Sequence, residues 1–176
     1  MKYLRRLIWY VSSRLLILLS VLGVMTMAFY FSMNATNIYI ILKDGMAKRA
    51  QVIMMDADEN LTPYFSPAYL ERDVQLAEAR NGQSVYQNYY SITGFDHRVS
   101  LDWVWCWPWA DSARATVTER IPAIDGRMKP SARDAVKALG WGSTPKWQTT
   151  QYTVVLSREN NHWHIKNLIN AKAINE

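Results

Sequence analysis

The chain of 176 residues carries a formal charge of +5 and suffices for one domain with a single core rather than two. Four of its twenty Lys/Arg (Lys2, Arg5, Arg6 and Arg14) precede an apolar run with no acid among them, leaving sixteen against all fifteen Asp/Glu beyond residue 34. The basicity is therefore a topology signal, and the near-neutral remainder excludes the electrostatic footprint of a nucleic-acid-binding protein.

Leu15 to Met33 is nineteen residues without a charge, bounded by Arg14 and Asn34. At about 1.5 Å per residue this run nearly covers a hydrocarbon core of about 30 Å. Trp9, Tyr10, Phe29, Tyr30 and Phe31 stand near its two ends, where amphipathic rings settle at membrane interfaces. A cleaved signal peptide shares the basic start but has a shorter apolar region. It also needs small residues before its cleavage site, where this chain has Phe29-Tyr30-Phe31. The expectation is an uncleaved single-pass anchor, with 1–14 a basic cytoplasmic tail, 15–33 a transmembrane helix and 36–176 a domain outside the cell membrane. The sequons Asn34-Ala-Thr36 and Asn60-Leu-Thr62 are short enough to arise by chance and are set aside.

From Thr36 the pattern is helical, with Ile38, Ile41, Leu42, Met46, Arg49, Val52 and Ile53 on one side and Thr36 or Asn37 placed to cap the start. Arg49 lies on the apolar side and calls for a carboxylate, with Asp102 and Glu119 the candidates. Ser66-Pro67 opens a second helix that runs to Arg80, and Gly82 ends it. Val85 to Thr93 then has strand composition, Gly94 to His97 reads as a turn, and Val99 to Trp107 as the return strand. A further strand spans about Arg114 to Ile121, and Trp147–Ser157 with Trp163–Ile169 form a terminal hairpin across Glu159-Asn160-Asn161. The excursion 123–146 holds one short helix, where Ser131-Ala-Arg-Asp134 has capping-box form and Gly140 follows.

Two helices against a later antiparallel sheet make an α+β fold. Leu61-Thr-Pro-Tyr-Phe65 leading into the second helix, and Tyr152 to Leu156 facing Trp163 to Leu168, carry a likeness across residues 36–170. In this order the chain resembles the nuclear-transport-factor-2-like (cystatin-like) cone. The resemblance implies helices packed on a strongly curved sheet.

The most unusual stretch is Leu101-Asp-Trp-Val-Trp-Cys-Trp-Pro-Trp109. Alternation puts Trp103, Trp105, Trp107 and Trp109 on one side and Asp102, Val104 and Cys106 on the other. Trp103 and Trp105 are expected to fill the core, because large aromatics are mostly buried. Trp107 and Trp109, beside Pro108, are candidate binding residues, as is Trp141 in the excursion. Cys106, the lone cysteine, excludes an intramolecular disulfide and is expected to be a buried hydrophobe.

Cones of this kind include ketosteroid isomerase and polyketide cyclases, which place Asp, His or Tyr in the pocket. The resemblance makes Asp102, His97 and Tyr90 (or Tyr89) the candidates for catalysis here. His162 and His164 share a strand face but have no third ligand nearby, so no metal is called for, and no motif asks for a cofactor. Two functions stay open. One is a non-catalytic interaction or scaffold domain at the outer membrane face, binding other envelope proteins or itself, as the resemblance implies for secretion, conjugation and sporulation assemblies. The other is a tethered small-molecule-binding or enzymatic cone.

Overall fold

The computed structural model describes residues 2–141 and 143–174; of the segments expected above, Met1, Gly142, Asn175 and Glu176 lie outside the described residues. One helix, α1 (Lys2–Met55), joins the apolar run to the domain without a break, a rod of about 80 Å at 1.5 Å per residue. It is long and apolar enough to cross a membrane. Two hydroxyls of the apolar run are satisfied within the helix: Ser20 Oγ donates to Leu16 O at 2.9 Å and Thr26 Oγ1 to Leu22 O at 2.8 Å. The cap expected at Thr36 or Asn37 does not form. Thr36 Oγ1 instead donates to Ser32 O at 2.9 Å, because the chain is already helical there.

Within the run 15–33 every residue is exposed except the half-buried Phe31. From Asn34 onward α1 is a core helix, and Ile38, Leu42, Met46, Ala50 and Ile53 bury the stripe that the sequence spacing marks. Gly45 lets Tyr64 approach, since a Cβ there would meet Tyr64 Cβ at 2.9 Å. The helix stops where Asp56 adopts φ +54°, and two orphan carbonyls of the last turn find partners. Ser84 Oγ donates to Ile53 O and Gln87 Nε2 to Val52 O, both at 2.7 Å.

The helix expected from Pro67 to Arg80 is two, α2 (Pro67–Leu70) and α3 (Val74–Arg80). Asp73 divides them, extended in backbone and capping α3 by accepting from Gln75 N and Leu76 N. Val85 to Tyr89, expected as strand, is the short helix α4 (Val85–Tyr89); the strand β1 (Tyr90–Phe95) begins only after it. β2 (Arg98–Trp105) does not return along β1 as the turn at 94–97 suggests. β1 pairs instead with β4 (Ile124–Met128), a strand inside the excursion that the sequence pattern did not show. The excursion goes on through a 3-10 turn (Pro130–Ala132) into α5 (Arg133–Ala138), whose N-cap is Ala132, so the Ser131 capping box is not used.

β2, β3 (Ser112–Arg120), β5 (Thr150–Glu159) and β6 (His162–Ala173) form an antiparallel sheet in the order β2-β3-β5-β6. The β5–β6 hairpin turns at Asn160 and Asn161, whose φ of +49° and +66° suit a tight two-residue turn. Irregularities at Leu101/Trp103, Gln151/Thr153 and Val155/Leu156 bend the strands. One sheet face buries Ala113, Ala115, Val117, Val154, Leu156 and Ile165 against α1, while the other leaves Asp102, Trp103, Trp105 and Arg114 exposed among the described residues. A smaller cluster of Met54, Tyr90, Ile92, Ile121 and Val136 lies under the β1–β4 ribbon. The fold is α+β with antiparallel sheets, as the element pattern implies.

Candidate functional site: the tryptophan stripe

The tryptophans of β2 lie on the outer sheet face. Leu101 pairs with Val117 and Trp103 with Thr116, so Asp102 is an extra residue that turns outward with Trp103. Beyond this bulge Val104 is half-buried and Cys106 buried, which sends Trp103, Trp105 and Trp107 to solvent. Trp103, Trp105, Trp107 and Trp109 keep 53, 51, 43 and 71% of their surface exposed. This corrects the expectation that Trp103 and Trp105 fill the core. Burial of Cys106 was the available signal, because alternation makes its burial incompatible with burial of its tryptophan neighbours.

The four rings touch in series. Trp103 and Trp105 are parallel to within 3° with centroids 6.3 Å apart. Trp105 meets Trp107 edge-on at 5.5 Å, and Trp107 stacks on Trp109 at 5.6 Å. A stacked row on a sheet is held in place by its neighbours and loses little entropy when a partner covers it. Arg114 stands opposite Trp105 in register and is exposed. At the far end Pro108 O accepts from Asn34 Nδ2 at 3.4 Å, tying the end of the stripe to α1 beside Met33. Burial pushes the Cys106 thiol up, with Arg158 opposing weakly, so the thiol stays protonated and unreactive. Trp141 is not part of the stripe; it is half-buried, edge-on to Tyr89 at 5.9 Å beneath the β1–β4 ribbon.

The candidate catalytic groups do not converge. Asp102 is on the outer face, accepting from Thr118 Oγ1, Gln151 Nε2 and Ser100 Oγ at 2.7, 2.9 and 3.2 Å. Those bonds, Thr118 first, hold its carboxyl below the usual range, opposite to what a proton-abstracting base at neutral pH needs. His97 is on the inner face with Nε2 3.0 Å from Glu119 Oε1. Tyr90 is in the smaller cluster, its hydroxyl donating to Ser143 O at 2.9 Å. His162 is exposed and His164 half-buried, and among the described residues no three His, Cys, Asp or Glu side chains gather to hold a metal.

The interior holds a polar group of its own. Arg49 is 5% exposed and meets Asp73, not Asp102 or Glu119: Nε donates to Oδ2 at 2.6 Å and Nη2 to Oδ1 at 3.2 Å. Gln75 Oε1 accepts from Nη2 at 2.8 Å, and Tyr69 Oη donates to Asp73 Oδ2 at 2.8 Å. Burial alone would raise the Asp73 carboxyl. The Arg49 bond and charge, with Tyr69 and the Leu76 amide, outweigh it and hold Asp73 below its ordinary value. This cluster borders an open cleft of about 320 Å³ lined by Arg49, Tyr69, Gln75, Tyr152 and Asn167.

Comparison of the chain with protein families, characterised proteins and solved structures finds no match.

Proposed function

We propose that this chain is a membrane-anchored interaction domain of the nuclear-transport-factor-2-like kind, non-catalytic, with its N-terminus cytoplasmic and residues 36–176 outside. Its docking surface is the tryptophan stripe, and its partners are other envelope proteins or a second copy. The single observation that carries this reading is the row of four mutually packed, exposed tryptophans, two on the outer face of β2 and two in the loop that follows it. Contiguous exposed aromatic surface is costly to keep in water and marks sites of association. The apolar run and the basic residues before it support the anchor and its orientation.

A photo-crosslinker in place of Arg114, across from Trp105, tests the reading in native membranes. The full chain should form an adduct with a second polypeptide, and Trp103→Ala/Trp105→Ala should abolish it without loss of folded protein. An unchanged adduct in the double variant would show that the stripe is not the docking surface.

The tethered small-molecule-binding alternative has the cleft beside Arg49 in its favour, where Nη1 is buried without a hydrogen-bond partner. Asp73 already neutralises that guanidinium, and Asp102, His97 and Tyr90 point to three different places. The enzymatic form of the alternative is therefore the weaker reading.

A further inference from the structure

We propose that Trp107 and Trp109 are seated in the headgroup–acyl boundary of the leaflet on the domain's side, so that the near end of the stripe is a lipid contact. The stripe then divides between two surroundings: Trp107 and Trp109 lie in lipid, while Trp103 and Trp105 stand clear of it. This rests on the reading of residues 15–33 as the membrane span.

Three observations place the two rings there. The apolar run ends at Met33, and the next residue, Asn34, is both the first fully buried position of α1 after it and the donor to Pro108 O. The segment Trp107-Pro108-Trp109 is thus held at the height where the helix leaves the hydrocarbon. Within the run only Phe31 loses exposure, so the domain reaches α1 at the end of the span and no lower. Trp109, at 71%, is the most exposed of the four rings and is free to enter the boundary that tryptophan prefers, with Trp107 stacked on it.

The surroundings agree. Asp111 O accepts from Arg158 N at 2.8 Å, which brings the β5–β6 hairpin to the same end of the sheet. Arg114 of β3, exposed and in register with Trp105, stands just above the two rings, at the height of lipid phosphates. Trp105 stands where the loop joins β2, its ring centroid 5.5 Å from that of Trp107, and Trp103 lies a further 6.3 Å along the row. An indole at the boundary keeps its apolar body in acyl chains and its N–H in the wet layer. Rings at that height would brace the domain against the bilayer and limit rotation about α1.

The test uses the full chain in phosphatidylcholine vesicles, compared with Trp107→Phe/Trp109→Phe. The difference between the two emission spectra reports these two rings. It should be blue-shifted, mostly lost when acyl-brominated phosphatidylcholine replaces the ordinary lipid, and little affected by iodide. Trp109→Phe alone, at the most exposed ring, should remove part of the bromolipid-quenched signal and serves should the double change disturb the loop. Difference emission quenched by iodide and not by bromolipid would overturn the proposal, placing the rings in water. Emission shielded from both would overturn it too, with protein, including a second copy, covering the rings. Washing the vesicles at alkaline pH separates the two levels of the account. A chain that washes off overturns the seat and the anchor together, whereas a retained chain with iodide-quenched rings overturns the seat alone.

Discussion

Arg49 brings a full charge into the core of a small domain, and its stability contribution depends on one carboxylate. Asp73→Asn removes the one carboxylate that Arg49 hydrogen-bonds and leaves only the charge of buried Glu119 to oppose the guanidinium, which costs about 3–5 kcal/mol. A thermal melt of the full chain in mild detergent should show that loss at neutral pH; a near-neutral effect would show that water reaches Arg49. The pH dependence has a definite sign. The folded Asp73 carboxyl is held below the ordinary value near 3.8, so its contribution is complete above that value and is lost as pH falls through the lower folded one. The gap between wild type and Asp73→Asn should therefore shrink only below about pH 4. That Arg49 needed a carboxylate was legible in the sequence, because a cation on an apolar stripe cannot stay unpaired. Which carboxylate was not legible, because Asp73 becomes available only where the helix between Pro67 and Arg80 breaks. The tryptophans make the matching point. Half-exposed as they are, Trp103→Ala or Trp105→Ala should each cost about 1 kcal/mol, and not the roughly 3–5 of a buried large aromatic.

Among the elements, α1 and β2 decide how the rest is placed. The apolar stripe from Ile38 to Ile53 and the Asn160-Asn161 hairpin were readable because each rests on local periodicity or turn chemistry. The bulge at Asp102 was not, since one extra residue leaves no compositional mark yet changes the face of everything after it. Val85–Tyr89 misled for a related reason. Its Val and Tyr favour strands, but Ser84 and Gln87 bond the last carbonyls of α1 and hold the segment in a helical turn. β1 consequently starts late and takes β4 as its partner. The close approach of α1 to Tyr64 predicts that Gly45→Ala destabilises the fold by about 1–2 kcal/mol, overcrowding outweighing the gain in helix propensity. An equal or higher melting temperature for Gly45→Ala would show that Tyr64 moves aside freely.

For the whole molecule, one helix carries both the apolar run, long enough to cross a membrane, and the core stripe of the domain, so the two are divided by a change of surroundings and not by a linker. Asn34 and Ile38 are buried whereas the run before them, Phe31 apart, is exposed. A chain cut to residues 34–176 should therefore be soluble and folded, while one cut to 44–176 loses Ile38 and Leu42 and should not fold. Circular dichroism melts of the two would check this; cooperative unfolding of the shorter chain would contradict the shared role of α1. The proposed placement of the domain outside the membrane, held there by that helix, is tested most directly by site-directed labelling. A cysteine in place of Asp125, exposed on β4 at the end of the domain away from the apolar run, should react with a membrane-impermeant maleimide on intact cells, with buried Cys106 silent. A cysteine in place of Lys2 should react only after lysis. Labelling of position 2 on intact cells with position 125 protected would contradict the account.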